Sequence, residues 1–155
     1  MTAPQPPRTR EERKRDLLAR LDRDADLWVA SADQSGTPYL VPLSFHWTDG
    51  AIIVSTPETN PTGRNLAEGR TVRIGVGLTR DVTMIDATAE LVHPVPDELA
   101  DAFAARAGFD PRRSGPTYRF YRLTPTRIES WREANELSGR VLMRDGAWLE
   151  DPQPS

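Results

Sequence analysis

Residues 39–56 carry the pattern that most limits how this chain can fold. Tyr39, Val41, Leu43, Phe45 and Trp47 alternate with Leu40, Pro42, Ser44 and His46, so the two sets point to opposite faces of one strand. Thr48-Asp49-Gly50 follows as a turn, and Ala51-Ile52-Ile53-Val54-Ser55-Thr56 reads as the returning strand. Such a hairpin commits this part of the chain to antiparallel pairing.

The rest of the chain extends the same logic. Thr9-Arg10-Glu11-Glu12 is a capping box, and Leu17, Leu18 and Leu21 place an apolar stripe on a helix ending near Asp24. Strands are predicted at 27–31, 37–47, 51–56, 71–78, 82–92 and 118–131, the last interrupted at Pro125, a residue suited to an edge or a bulge. A short helix is predicted at 61–69. A longer one spans 97–107, with Leu99, Ala100, Phe103, Ala104 and Ala107 on one face and Gly108 as its stop. Residues 109–117 read as a polar loop, and Arg144-Asp145-Gly146 as the turn of a small hairpin. Consecutive strands joined by short turns give a mainly β, α+β fold, an antiparallel sheet curled into a barrel with helices packed outside. Trp28 and Trp47 are assigned to its core.

At 155 residues the chain suits one domain, able to bury about 70% of its extended surface. The expected organisation is a disordered proline-rich tail at 1–8, a single domain over 9–150 and a disordered tail at 151–155. A net charge of −3 argues against general nucleic-acid binding. No apolar run approaches the roughly 20 residues of a membrane span. With no signal-like apolar stretch in Met-Thr-Ala-Pro-Gln-Pro-Pro-Arg and no cysteine, a cytoplasmic location is expected. Lys14 is the only lysine, so any anion site must be built from arginine.

One segment offers such a site. The strand ending in Ser55-Thr56 runs into Pro61-Thr62-Gly63-Arg64-Asn65-Leu66, the first turn of the short helix. Free N–H groups at a helix start favour an anion, and a guanidinium can grip a phosphate through two parallel bonds. The same residue types also crowd into ordinary loops for their turn chemistry, so spacing alone leaves both readings open.

Other chemistry finds little support. Gly75-Val76-Gly77-Leu78-Thr79-Arg80 lacks the third glycine of a dinucleotide fingerprint and lies within a strand. There is no Gly-x-Ser-x-Gly and no cysteine nucleophile. His46 and His93 are the only histidines, too few and too far apart for zinc. His93 is read as a surface residue, His46 as a structural one. No catalytic residue and no metal ligand is therefore assigned. A phosphate grip without catalytic acid, base or nucleophile suits a cofactor that carries its own chemistry.

The order of motifs from Leu27 to Leu91 resembles the split-β-barrel proteins of the pyridoxamine 5′-phosphate oxidase-like superfamily, which includes FMN enzymes and deazaflavin F420-dependent oxidoreductases. The matching pieces are Ser-Gly-Thr-Pro-Tyr-Leu-Val-Pro-Leu at 35–43, Asp-Gly-Ala-Ile-Ile-Val-Ser-Thr at 49–56, Gly-Arg-Asn-Leu at 63–66, Arg-Thr-Val-Arg-Ile-Gly-Val at 70–76 and Thr-Arg-Asp-Val at 79–82. The resemblance implies an FMN-binding-type split barrel, a homodimer with cofactor sites at the subunit interface, and a flavin-dependent oxidoreductase acting on a small organic substrate by hydride transfer. FMN is the favoured cofactor and F420 the alternative. A carrier of flavin, F420 or a haem-like ligand without turnover is the alternative function.

By the same resemblance, Arg64 and Asn65 with Thr62, Ser55 and Thr56 would hold the cofactor phosphate. The backbone of Val41, Pro42 and Leu43 would line the isoalloxazine edge, and Trp131 would either reach the ring from the other subunit or pack the barrel. Many relatives carry a lysine beside or in place of the arginine; here only Arg64 stands there. The residues that pyridoxamine phosphate oxidases use for their substrate's phosphate are absent, which argues against that activity. Arg70, Arg73 and Arg80 would either serve the acidic tail of F420 or decorate strands.

Overall fold

Two-residue Asp-Gly turns set the hairpins. In the computed structural model, which describes residues 5–151, Asp49 and Gly50 adopt φ of 51° and 73°, and Asp145 and Gly146 adopt 52° and 78°. Both central residues lie in the left-handed region, as a type I′ turn requires to match the twist of its strands.

The elements are α1 (Arg10–Arg23), β1 (Asp26–Ala32), β2 (Pro38–Thr48), β3 (Ala51–Pro57), α2 (Pro61–Ala67), β4 (Thr71–Leu78), β5 (Asp81–Val92), α3 (Asp97–Ala107), α4 (Pro111–Ser114), β6 (Tyr118–Trp131), β7 (Val141–Arg144) and β8 (Ala147–Trp148). The strands pair antiparallel in the order β3-β2-β1-β4-β5-β6-β7-β8, and an additional β3–β6 pairing closes the first six into a barrel. Short β7 and β8 extend it beyond β6. The register of β5 against β6 shifts between Asp86 and Ala87, which face Arg127 and Pro125. Thr126 is thus the extra residue of a bulge beside Pro125, where a proline costs the ladder least.

Inside the barrel, Val29, Phe45, Ile52, Val54, Ile74, Ile85, Leu123 and Ile128 are fully buried, and Leu17 and Leu21 of α1 pack into the same cluster. Outside it, Ala100 and Phe103 of α3 cover Ile53 and Phe120. The Phe103 and Phe120 rings meet edge to face at 5.4 Å between centroids.

Three expectations are corrected. Trp28 is not in the core: it is 51% exposed, because Leu27, Val29 and Ser31 take the inward positions of β1. Trp47 does pack against the core cluster. Order begins before residue 9, since Arg8 is almost buried and paired with Glu136. At the other end Asp151 accepts bonds from the backbone N–H groups of Arg10 and Glu11 at 3.2 and 3.1 Å, satisfying helix-start donors of α1. Residues 1–4 and 152–155 of the expected tails lie outside the described residues. The polar loop over 109–117 contains α4, with Asp110 accepting from the Arg112 N–H as its N-cap and Pro111 at its first position.

Candidate cofactor site

The barrel is split at one place. β2 pairs with β3 only from Phe45↔Val54 to Thr48↔Ala51, whereas β3 runs on against β6 from Val54↔Tyr121 to Pro57↔Tyr118. Among the described residues, 38–44 of β2 therefore have β1 on one side and no strand on the other. The N–H of Phe45 donates to Ala25 and that of Asp33 to Thr37, which sets the alternation of the β1–β2 ladder. Val41 and Leu43 turn their backbone groups to Val29 and Leu27, and Leu40, Pro42 and Ser44 turn theirs to the open edge. Of the three residues assigned to a ring edge, Pro42 alone presents its backbone there, as a carbonyl without an N–H. Leu40 and Ser44 share that edge, which strand alternation alone could have shown had the side facing β1 been known.

Beside this edge lies α2. Asn60 caps it by accepting from the Gly63 N–H at 2.7 Å, and Asn60 Nδ2 donates to Thr56 Oγ1 at 2.9 Å. The Gly63 N–H, one of the donors that an anion would have used, is thus already satisfied by Asn60. Gly63 itself is required by contact, because a Cβ there would lie 2.1 Å from the Pro57 carbonyl oxygen.

The remaining assigned residues divide into two groups. Ser55, Thr56, Thr62 and Asn65 are buried. Ser55 Oγ donates to the Arg119 carbonyl at 2.8 Å, and Asn65 Nδ2 donates to Ser31 Oγ at 3.1 Å, fastening α2 to β1. Arg64 is exposed, donates only to the Thr59 carbonyl, and has no carboxylate within ion-pair distance among the described residues. In contrast, Arg70 pairs with Glu68 at 2.8 Å, Arg73 with Asp86 at 2.7 Å and Arg80 with Glu133 at 2.8 Å.

Trp131 lies on the outer face of the barrel, paired with Val82 and lining a groove with Met84, Arg73, Asp86, Arg127 and Glu129. Pro42 lines a different groove, with Trp28, Gly75 and Leu78. One chain thus keeps Trp131 and Pro42 in separate concavities.

Two side chains have environments that sequence patterning does not reveal. Tyr121 is fully buried between Val54 and Leu91, and its hydroxyl has no hydrogen-bond partner among the described residues; burial pushes its phenol upward, with Glu58 adding to the shift. His46 is held below the ordinary imidazole value, first by burial and then by Arg106. Among the described residues no cluster of His, Asp or Glu is arranged to hold a metal, and no helix is long and apolar enough to cross a membrane.

A closed six-stranded antiparallel barrel with flanking helices and an open strand edge beside a short helix defines the split-barrel class. The chain belongs to the pyridoxamine 5′-phosphate oxidase family, whose model matches residues 16–132. No curated protein matches its sequence. Among solved structures it is similar to HutZ, the heme storage protein from Vibrio cholerae, at 15% identity over 76% of this chain and 93% of that one, with a TM-score of 0.61. An F420 reductase aligns at 15% identity over 71% of this chain and 93% of its own, with a TM-score of 0.60. A heme binding protein from Mycobacterium smegmatis aligns at 18% identity over 94% of this chain and 60% of its own, with a TM-score of 0.61. At these identities the likeness is one of fold.

Proposed function

We propose that the chain binds a phosphate-bearing flavin-type cofactor, FMN in the first instance, in a site shared between two copies, and serves as an oxidoreductase toward a small organic molecule. The observation that carries this reading is Arg64: an exposed guanidinium with no carboxylate partner among the described residues, on the short helix next to an open strand edge, in a chain whose arginines are mostly paired. Arg64 would hold the phosphate, while the Pro42 carbonyl and the Leu40 and Ser44 backbone groups would meet the polar edge of the ring. The bound isoalloxazine would supply the hydride chemistry, and the chain would supply binding and orientation. Trp131 fits as a residue given to the partner's site, since it lies away from Pro42 in its own chain. FMN is preferred to F420 because Arg70, Arg73 and Arg80 are each paired with a carboxylate rather than free for an acidic tail.

A second reading is a carrier of flavin, F420 or a haem-like ligand without turnover. It is favoured by the engagement of Ser55, Thr56 and Asn65 inside the chain, which leaves Arg64 as the principal grip. Production in a host that makes FMN, F420 and haem, followed by an absorption spectrum and the mass of the released ligand, separates these readings. Release of FMN together with turnover of an added hydride donor supports the oxidoreductase. Bound ligand without turnover supports the carrier, and a protein that stays colourless when loaded with each ligand overturns both.

A further inference from the structure

A polar cavity of about 210 Å³ lies between α1, the start of β5 and the end of β6, and no residue of α2 or of the open β2 edge lines it. Its floor is buried. The Arg8 side chain is 8% exposed, and Thr83 Oγ1 and Ser130 Oγ, both buried, lie 3.2 Å apart. That hydroxyl pair holds two protons and makes one bond, so one proton has no acceptor among the described residues. Arg20 and Arg132 form the sides. Arg20 is seated over Gly77, where a Cβ would lie 3.1 Å from its Cζ, and donates one hydrogen bond, to Asp81 at 3.3 Å. The Arg132 guanidinium reaches only ion-pair distance, 3.3 Å from Asp81 and 3.8 Å from Asp16.

Donors are in surplus here. Of the five N–H groups on its guanidinium, Arg8 uses three, on Glu136 and Asp16. The neighbouring Arg13 is buried and bonds only to carbonyls. Arg23 and Asp24 at the rim pair with each other, which leaves the four guanidiniums of Arg8, Arg13, Arg20 and Arg132 against the three carboxylates of Asp16, Asp81 and Glu136. Yet two carboxylate oxygens, Asp16 Oδ1 and Asp81 Oδ1, accept no hydrogen bond among the described residues. A ligand that satisfies both sets must bring negative charge, several acceptor oxygens and a proton of its own.

We propose that this cavity binds an oxyanion that carries a proton, of the hydrogen phosphate type, either free or at the end of a phosphomonoester. Its oxygens accept from Arg8, Arg20, Arg132 and the hydroxyl pair, and its own O–H donates to Asp81 or Asp16. Sulfate has the same tetrahedral shape but no proton at neutral pH, so it would set bare oxygens against the two aspartates and is rejected. Arg8 precedes α1, whereas Asp81 and Ser130 belong to the barrel, so the bound ion fastens the N-terminal segment to the sheet. Occupancy therefore stabilises the folded chain by mass action. The site is separate from the Arg64 grip and does not depend on the cofactor reading.

The test is calorimetric titration of the full chain with sodium phosphate, glycerol phosphate and sodium sulfate, beside thermal melts in the same salts. Each titration is run on the wild type and on Arg64→Ala, which removes any phosphate held at the proposed cofactor site. In both proteins phosphate is expected to bind saturably and to raise the melting temperature, with sulfate at least roughly tenfold weaker. Arg132→Gln removes a half-exposed side chain that donates no hydrogen bond within the chain, so it is expected to keep the fold and to weaken phosphate binding roughly tenfold or more. Asp81→Asn, with circular dichroism as the check on folding, is expected to narrow the gap between phosphate and sulfate, because an amide can donate where a carboxylate cannot. Tighter binding of glycerol phosphate would assign the group to an ester, and tighter binding of inorganic phosphate to the free ion. The proposal is overturned if folded Arg64→Ala shows no saturable phosphate binding, if sulfate binds it as tightly as phosphate, or if Arg132→Gln binds phosphate like the wild type.

Discussion

Arg8 holds Glu136 across most of the length of the chain, with Nε to Oε2 at 3.0 Å and Nη2 to Oε1 at 2.8 Å. Glu136 also accepts from the backbone N–H groups of Arg8 at 2.9 Å and Arg132 at 2.8 Å, so both oxygens are satisfied although the residue is buried. Burial raises its pKa, but these donors outweigh burial and hold the carboxyl down to about 2.

Removing one partner of this pair would leave the other charge buried and unpaired. Glu136→Gln is expected to destabilise the fold by roughly 3 kcal/mol or more, read from urea unfolding at neutral pH. Because the folded carboxyl titrates below its unfolded value of 4.5, its contribution is present above that pH and is lost as pH falls through about 2. The stability gap between wild type and variant should therefore shrink over that interval, and a gap independent of pH would contradict the assignment.

His46 predicts a second acid transition at higher pH. Its folded pKa is depressed below 6.5 by burial and by Arg106, which is itself pinned to the Asp24 carbonyl at the end of α1 by a 2.9 Å bond. The unfolded chain takes up the proton first, so the stability His46 contributes is full above 6.5 and declines as pH falls toward the folded value. The urea midpoint should drop between about pH 7.5 and pH 5.5. His46→Gln should flatten that slope.

Gly63 should tolerate no side chain. A Cβ at this position would lie only 2.1 Å from the Pro57 carbonyl oxygen, so Gly63→Ala must push α2 off the end of β3. The expected loss is roughly 1–3 kcal/mol of stability, as for an overpacked core. Faster amide exchange confined to α2 and its neighbours would locate the change; unaltered exchange there would show that the contact relaxes without moving the helix.

Arg64 and Asn65 are adjacent in sequence and are expected to behave in opposite ways. Arg64→Ala removes an exposed side chain and should change stability by less than about 0.5 kcal/mol. It should nonetheless weaken flavin binding roughly tenfold to a hundredfold, the worth of one charge-assisted bond. Asn65→Ala strands the buried Ser31 hydroxyl and should cost about 1–3 kcal/mol of stability. Calorimetric titration with FMN beside thermal melts distinguishes the two; an Arg64→Ala protein that binds FMN like the wild type would end the phosphate assignment.

Local pattern determined much of this molecule. Alternation in β2, the Asp-Gly turns, the Thr9 cap, the stop at Gly108 and the bulge beside Pro125 all depend on residues within a few positions of one another. The order of those pieces was enough to indicate the family. What the tertiary structure decided is where each polar group finds its partner and which apolar face is covered. Ser55 meets a carbonyl from Arg119 through the β3–β6 pairing that closes the barrel, and Asn65 of α2 meets a hydroxyl from Ser31 of β1, each a contact between distant parts of the chain. Trp28 and Val29 are both apolar neighbours on one strand, and alternation says only that they face opposite ways. Closing the sheet put Val29 inside and left Trp28 on the surface, because a closed barrel buries one face of each strand and the other is buried only where a further element covers it.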